Sequence, residues 1–349
     1  MDLAEKISAF SKLGDYILSS LNNTKSSLDD KISEAFQINP WFTEENQRTA
    51  LKNLAENLSE EKLADWLSGY RPITENKLSQ GMRIGVILAG NLPLVGFHDF
   101  LCILFSGNIF TGKPSSGDTV LLKFLAEKLI EIEPRFGKQI IFIERLDEID
   151  AVIATGSNNS NRYFEYYFGK YPHLFRRNRN SAALIDGSES KEELELLADD
   201  IFLYFGLGCR NVSKIYFPDT YDFEKFFPAM EKYSSLIHHN KYANNYHYQR
   251  TIYSMSSIPF LDNGFMILKH DESFPSPVSV IHYENYIQKE NVFESLRKEA
   301  QYLQCFALRK NSDRPEGLPV VRFGETQSPQ LNDYADGVDT MKFLLGLAD

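Results

Sequence analysis

"MRIGVILAGNLPLVG", Met82 to Gly96, is the stretch that decides the fold. Its first half is a short, nearly continuous apolar run that ends in glycine. A strand apolar on both faces belongs in a parallel sheet covered by helices on both sides. The residues that follow, "LPLVGFHDFLCILFSGN", read as a helix. The alternation continues downstream. "IFTGKPSSGD" reads as a strand running into a loop, "TVLLKFLAEKLIEIEP" as a helix, and "KQIIFIERL" and "IDAVIATGS" as further strands. Strands alternating with helices imply βαβ units. Ligands bind such sheets beyond the carboxyl ends of the strands, so the polar turns there are where chemistry is sought.

Positions 1–80 read as helices at regular apolar spacing, with Thr43 and Ser59 as N-caps. A second lobe begins with the strand "NSAALID". It continues through the helix "SKEELELLADDIFLYFG", the strand "SKIYFP" and the helix "TYDFEKFFPAMEKYSSLI". "FMILKHDESFPSPVSVIHYEN" reads as strand, loop, strand. "ENVFESLRKEAQYLQCFAL" reads as mainly helical, and "LPVVRFG" as a closing strand. The first strand is not followed by GxGxxG, so any dinucleotide is held without the standard Rossmann fingerprint.

A chain of 349 residues suits two lobes. With 43% hydrophobic and 24% charged residues it has the composition of an ordinary globular protein. A formal net charge of -11 argues against a nucleic-acid binder. Three widely spaced cysteines without a CxxC pair argue against a disulfide framework and a zinc site. Cys102 and Cys305 read as core residues on apolar helix faces. His238, His239 and His247 lack metal-ligand spacing, so no metal is expected. The N-terminus lacks the pattern of a signal peptide and no apolar run is long enough to span a bilayer, so the expected location is the cytoplasm.

The strand-end residues form an ordered set: "AGNLPL" with Asn91, "GKPSSGDT" with Lys113, "IATGS" with Gly156 and Ser157, "GLGC" with Cys209, "DESFPSPVSVIHYEN" with Glu272 and Phe274, and "VVRFGE" near the end. In this order the set resembles the aldehyde dehydrogenase superfamily, in particular its LuxC-like fatty acyl-CoA reductase branch, over roughly positions 81–349. The resemblance implies an α/β fold with two Rossmann-like parallel-sheet lobes and an N-terminal helical segment. The implied division is 1–80 helical, 81–176 for the nicotinamide cofactor, 177–323 for the catalytic cysteine, and 324–349 returning to the cofactor domain. "AGNLPL" looks like the family's "PWNFPL" loop, which makes Asn91 the oxyanion donor. "GKPSSGDT" looks like "KPAEQTP", whose lysine reaches the adenosine ribose, so Lys113 takes that role. "ATGS" resembles "FTGS" beside the cofactor, matching Gly156 and Ser157. "GLGC" resembles the "GQxC" turn of the nucleophile, placing Cys209. "ESFPSPVSVIHYEN" looks like "EIFGPVxPVxxY", placing Glu272 on the nicotinamide ribose with Phe274 packing nearby.

Two departures shape the expected reaction. The hydrolytic members carry a general-base glutamate in "ELGGKS"; the corresponding segment here is "RRNRNSA", and its first position is Arg176. Without that base, water is poorly activated, as in members that exchange the acyl group with coenzyme A. The cofactor-loop glutamate that suits a free 2′-hydroxyl is Ser116 here, which admits a 2′-phosphate. The resemblance thus implies an acyl-CoA reductase that uses NADPH or NADH and an acyl-CoA or acyl-carrier substrate, as a homodimer or with an acyl-transferring partner. A thiol suits this chemistry because its thiolate is a soft nucleophile for a thioester carbonyl. Alternatives in the same fold act on aldehydes or acyl phosphates; a non-redox cysteine acyltransferase and a silent scaffold are others. Individual residues have plainer readings. Asn91 is also a turn former, Ser157 a helix cap, Lys113 a surface lysine, and Asp271 competes with Glu272. "RRNRN" is either a contact for coenzyme A phosphates or a solvated loop.

Overall fold

The computed structural model describes residues 1–23, 25–70 and 81–348; positions 71–80 of the expected N-terminal helical segment lie outside the described residues. The chain divides into two compact units, one of Met1–Arg177 with Gln330–Asp349, the other of Asn178–Pro329. No described helix is long and apolar enough to cross a membrane.

The first unit is built on a five-stranded sheet in the order β3-β2-β1-β4-β5. Its strands are β1 (Arg83–Ile87), β2 (Ile109–Lys113), β3 (Ile140–Phe142), β4 (Ala151–Thr155) and β5 (His173–Arg176), and every pairing is parallel. The strand order reverses at β1, which has β2 on one side and β4 on the other. Four N-terminal helices, Leu3–Leu21, Ser27–Ile38, Glu44–Asn57 and Glu60–Ser68, join this unit rather than standing apart. Thr43 and Ser59 cap the last two as their side chains accept from Asn46 N and Lys62 N. Phe10 stacks on Phe105 and meets Phe100 and Phe136 edge-on. Lys6 is buried beside it and donates to Leu104 O at 2.8 Å, satisfying the end of the helix Phe97–Phe105. Burial pushes the Lys6 ammonium down to about 8.

The helix expected from Leu92 starts only at Phe97. Pro93 disfavours helical backbone at the residue before it, and Leu94 takes a left-handed φ of 60° while its N–H is held by Asp118. β5 ends in Arg176, whose guanidinium is buried rather than solvated. It pairs with Asp99 of the helix Phe97–Phe105 and donates to Thr340 Oγ1 at 2.9 Å.

The second unit carries a seven-stranded sheet in the order β12-β11-β6-β7-β10-β9-β8. The strands are β6 (Asn180–Leu184), β7 (Val212–Pro218), β8 (Leu261–Asp262), β9 (Ile267–His270), β10 (Val280–Tyr286), β11 (Leu303–Leu308) and β12 (Val320–Arg322). Only the β8–β9 pair is antiparallel. Three expectations change here. "LQCFAL" is β11, so Cys305 sits on a strand and not on a helix; that strand is buried throughout and paired on both sides. Cys102 does lie in a helix and is buried. "TYDFEKFFPAMEKYSSLI" breaks into a 3₁₀ turn, the short helix Phe226–Met230 and a second 3₁₀ segment, around Pro228, which lacks an N–H to donate. The chain re-enters the first unit at Gln330, later than position 324. Buried Asp200 holds that stretch in the second unit, accepting from Gly324 N at 2.7 Å and Thr326 N at 3.0 Å.

Removing one partner of a buried ion pair strands the other, at a cost of about 3–5 kcal/mol. Asp99→Ala is expected to lose that much stability in denaturant unfolding. The double variant Asp99→Leu with Arg176→Met, which removes both charges, should recover most of it.

Candidate active site

Asn91, Lys113, Ser116, Gly156 and Ser157 lie in the first unit, at or just beyond the ends of neighbouring strands. Asn91 follows β1, Lys113 ends β2, and Gly156 and Ser157 follow β4. The loops after β1 and β2 touch closely. A Cβ on Gly90 would come within 2.4 Å of Ser115 Oγ, so glycine is required at that contact. Asn39 donates to Gly90 O at 3.4 Å and to Gly117 O at 3.3 Å, tying both loops to the N-terminal helices. Asp118 accepts from Leu94 N at 3.1 Å, and burial pushes its carboxyl up to about 7. Asn91 is thereby carried, exposed, on a braced bend.

A cleft of about 840 Å³ opens at the ends of β1, β2 and β3. Ile87, Leu88 and Phe142 give it apolar walls; Lys113, Ser116 and Lys123 give it polar ones. These residues suit a nucleotide, with flat apolar surface for a base and hydroxyl and ammonium groups for ribose and phosphate. Gly156 is forced by packing, since a Cβ would meet Ser160 at 2.8 Å and the Phe164 ring at 2.9 Å. Ser157 caps the helix Asn158–Phe168, accepting from Ser160 N at 3.2 Å.

Cys209, Glu272 and Phe274 lie in the second unit. Cys209 is exposed on a turn that precedes β7, at the amino end of that strand. The chain reaches it through three consecutive left-handed residues, Tyr204, Phe205 and Gly206, with φ of 54°, 60° and 73°. Such backbone persists only where surroundings over-determine it. Asn211 supplies the restraint: buried, its amide donates to the carbonyls of Asp200, Ile201 and Leu203 at 3.2, 3.3 and 2.8 Å, while its Oδ1 accepts from Gly208 N at 2.8 Å. Ser181 Oγ donates to Cys209 O at 2.9 Å and accepts from Cys305 N at 3.1 Å. The ladders of β7 and β11 on either side of β6 both shift register at Ser181, leaving Ser213 and Gln304 as extra residues. Bulges of this kind re-aim side chains beside functional sites.

Glu272 and Phe274 lie in the loop between β9 and β10; Glu272 is exposed and Phe274 buried. Asp271 is committed elsewhere. Its carboxylate pairs with Lys269 and accepts from Ser273 N at 2.9 Å, and these partners hold it below the usual carboxylate range. The sequence reading missed Asp99, Asp118, Ser181 and Asn211. Their types are ordinary, and each is defined by a partner distant in the chain or by a backbone it restrains.

The folds of solved aldehyde dehydrogenases match this one. Aldehyde dehydrogenase 21 from Physcomitrella patens aligns with a TM-score of 0.65 at 12% identity, covering 99% of this chain and 85% of that one. The indole-3-acetaldehyde dehydrogenase of P. syringae, solved with NAD+ and IAA, gives 0.62 at 10% identity over 89% and 73%. The propionaldehyde dehydrogenase from Clostridium phytofermentans gives 0.57 at 12% over 89% and 79%. The architecture is thus that of the aldehyde dehydrogenase superfamily. A search of the curated proteins found no match. The model of one family, acyl-CoA reductase (LuxC), matches residues 44–320, and the chain belongs to that family. It is an oxidoreductase acting on an acyl or aldehyde group.

Asp118 gives a test of the braced loop. A carboxyl raised to about 7 when folded binds more protons folded than unfolded between about pH 4 and pH 7. Its contribution to stability therefore falls as pH rises through that window. Asp118→Asn should flatten this slope, so the loss of unfolding midpoint between pH 5 and pH 8 becomes smaller than in the unaltered protein.

Proposed function

We propose that the protein reduces an acyl thioester, supplied by coenzyme A or an acyl carrier, to the aldehyde at the expense of NADPH or NADH, with Cys209 as nucleophile. The observation that carries the reading is the exposed thiol on a turn that is entered through left-handed backbone at Tyr204–Gly206 and clamped by Asn211 and Ser181, in a chain of the acyl-CoA reductase family. The Cys209 sulfur attacks the thioester carbonyl, the carbon–sulfur bond to the donor breaks, and the donor thiolate leaves. The acyl group is then a thioester on Sγ. The turn offers a backbone N–H to the developing oxyanion and Asn91 a side-chain amide; one such donor is worth about 3 kcal/mol in the transition state. A nicotinamide, when bound, supplies the hydride to the acyl carbon. Collapse then releases the aldehyde and restores the Cys209 thiolate.

Lys113 and Ser116 hold the adenosine ribose in the cleft whose apolar walls take the base, and the loop of Gly156 and Ser157 lies against the cofactor. Glu272 holds the nicotinamide ribose with Phe274 beside it, a role that Asp271, paired with Lys269, is not available for. Hydrolysis is disfavoured because Arg176, which the resemblance sets at the position of the general base, is buried against Asp99. A thiol nucleophile also suits the cytoplasm, where thiols are kept reduced.

A single-turnover assay tests this. The protein is mixed with a long-chain acyl-CoA and NADPH or NADH, and nucleotide absorbance and aldehyde are followed. Oxidation of nucleotide with aldehyde release is expected, reduced about 10³-fold or more in Cys209→Ala. An undiminished rate in that variant would overturn the nucleophile assignment. Acylation of Cys209 with no nucleotide consumed would overturn the reductive reading.

A further inference from the structure

Lys214 lies in β7 and is 1% exposed. An ammonium so deeply buried is costly unless its charge and donors are engaged. Its position depends on the extra residue at Ser213. Strict alternation would set Lys214 on the same face as Val212. With Ser213 inserted, Val212 joins Ile215 and Phe217 in one core cluster, while Tyr216 belongs to the other, with Phe274. The Lys214 ammonium is 5.3 Å from the centre of the Tyr216 ring and 5.1 Å from that of Phe274. It pairs with Glu284 of β10 and donates to the main-chain carbonyl of Glu272.

That carbonyl is one of a run. Ser273 O accepts from His282 Nδ1 at 2.9 Å, and Phe274 O accepts from Ser213 Oγ at 3.1 Å. Three successive carbonyls of the loop are thus held by side chains of β7 and β10. The loop has need of them, because Pro275 and Pro277 bring no N–H of their own. Of the three, Lys214 holds the carbonyl of Glu272 itself, the residue whose side chain is exposed.

We propose that Lys214 is a positioning residue for the Glu272 arm: by fixing the peptide after Glu272 and packing under Phe274, it sets the affinity for the nicotinamide nucleotide without taking part in acylation of Cys209. This rests on the reading of Glu272 as the ribose-holding carboxylate.

The test is Lys214→Met, together with the double variant Lys214→Met, Glu284→Gln, which leaves no unpaired buried charge and so retains the fold if the single variant does not. Two quantities are measured. One is KM for NADPH in reduction of a long-chain acyl-CoA. The other is the rate of Cys209 acylation by that acyl-CoA without nucleotide, read by intact mass. The expected result is a rise in KM of about 10- to 100-fold, the scale of a misplaced binding group, with acylation changed less than about twofold. Thermal unfolding confirms that the variant compared is folded. An unchanged KM in a folded variant would overturn the proposal. So would equal losses in both quantities, which mark a merely structural role. Glu272→Gln separates the two readings. If it leaves KM untouched, the ribose assignment falls and Lys214's role with it. If the unaltered protein shows no acylation, the failure lies with the proposed function itself.

Discussion

The first unit depends on one buried ion pair. Arg176 and Asp99 are 6% and 3% exposed, and the guanidinium also reaches Thr340 of the C-terminal helix. Asp99 belongs to the helix entered from the Asn91 loop. Arg176 O accepts from Gly156 N at 3.4 Å and from the Asn161 amide at 3.3 Å. The pair therefore joins the element after β1, the loop after β4, the end of β5 and the returning C-terminal chain. Desolvating two charges returns little net stability. What the pair supplies is definition: the segments it joins have one arrangement in which neither charge is stranded.

The second unit uses a different device for the same end. Its thiol stands at the amino end of a strand, whereas open sheets take ligands beyond the carboxyl ends of their strands. The backbone there is held by neutral hydrogen bonds from buried side chains, Asn211 to three carbonyls and Ser181 to one. Ser181 sits where both neighbouring ladders slip by a residue, and one slip turns Lys214 toward the Glu272 loop. An unpaired polar group in such a network would cost about 1–3 kcal/mol, which is why the turn keeps its strained φ values.

What the sequence made legible follows from periodicity and punctuation. The continuous apolar run of β1, the caps at Thr43 and Ser59, and the ordered strand-end motifs are local signals, and local signals survive in one dimension. β11 reads as helix in the sequence because "QYLQCFAL" continues an amphipathic helix without a breaker; its burial on both sides, decided by β6 and β12, overrides that pattern. Asp271 and Glu272 are adjacent and chemically alike, so spacing could not choose between them. The choice lies in Lys269 and Ser273, which engage one carboxylate and leave the other exposed.

Arg176 also bears on why a thioester on Cys209 would await hydride rather than water. The resemblance sets this residue where hydrolytic relatives keep a general base. Here the position is committed to structure, with its side chain inside the first unit against Asp99. A glutamate placed there would not recover a base at little cost. It would bury a second carboxylate beside Asp99 with no cation between them, and like charges at that depth repel each other and oppose folding. The absence of a base at this position is therefore tied to the ion pair that organises the unit. Restoring it would require a change at Asp99 as well, so on the proposed reading a preference against hydrolysis is held by packing and not by a single side chain.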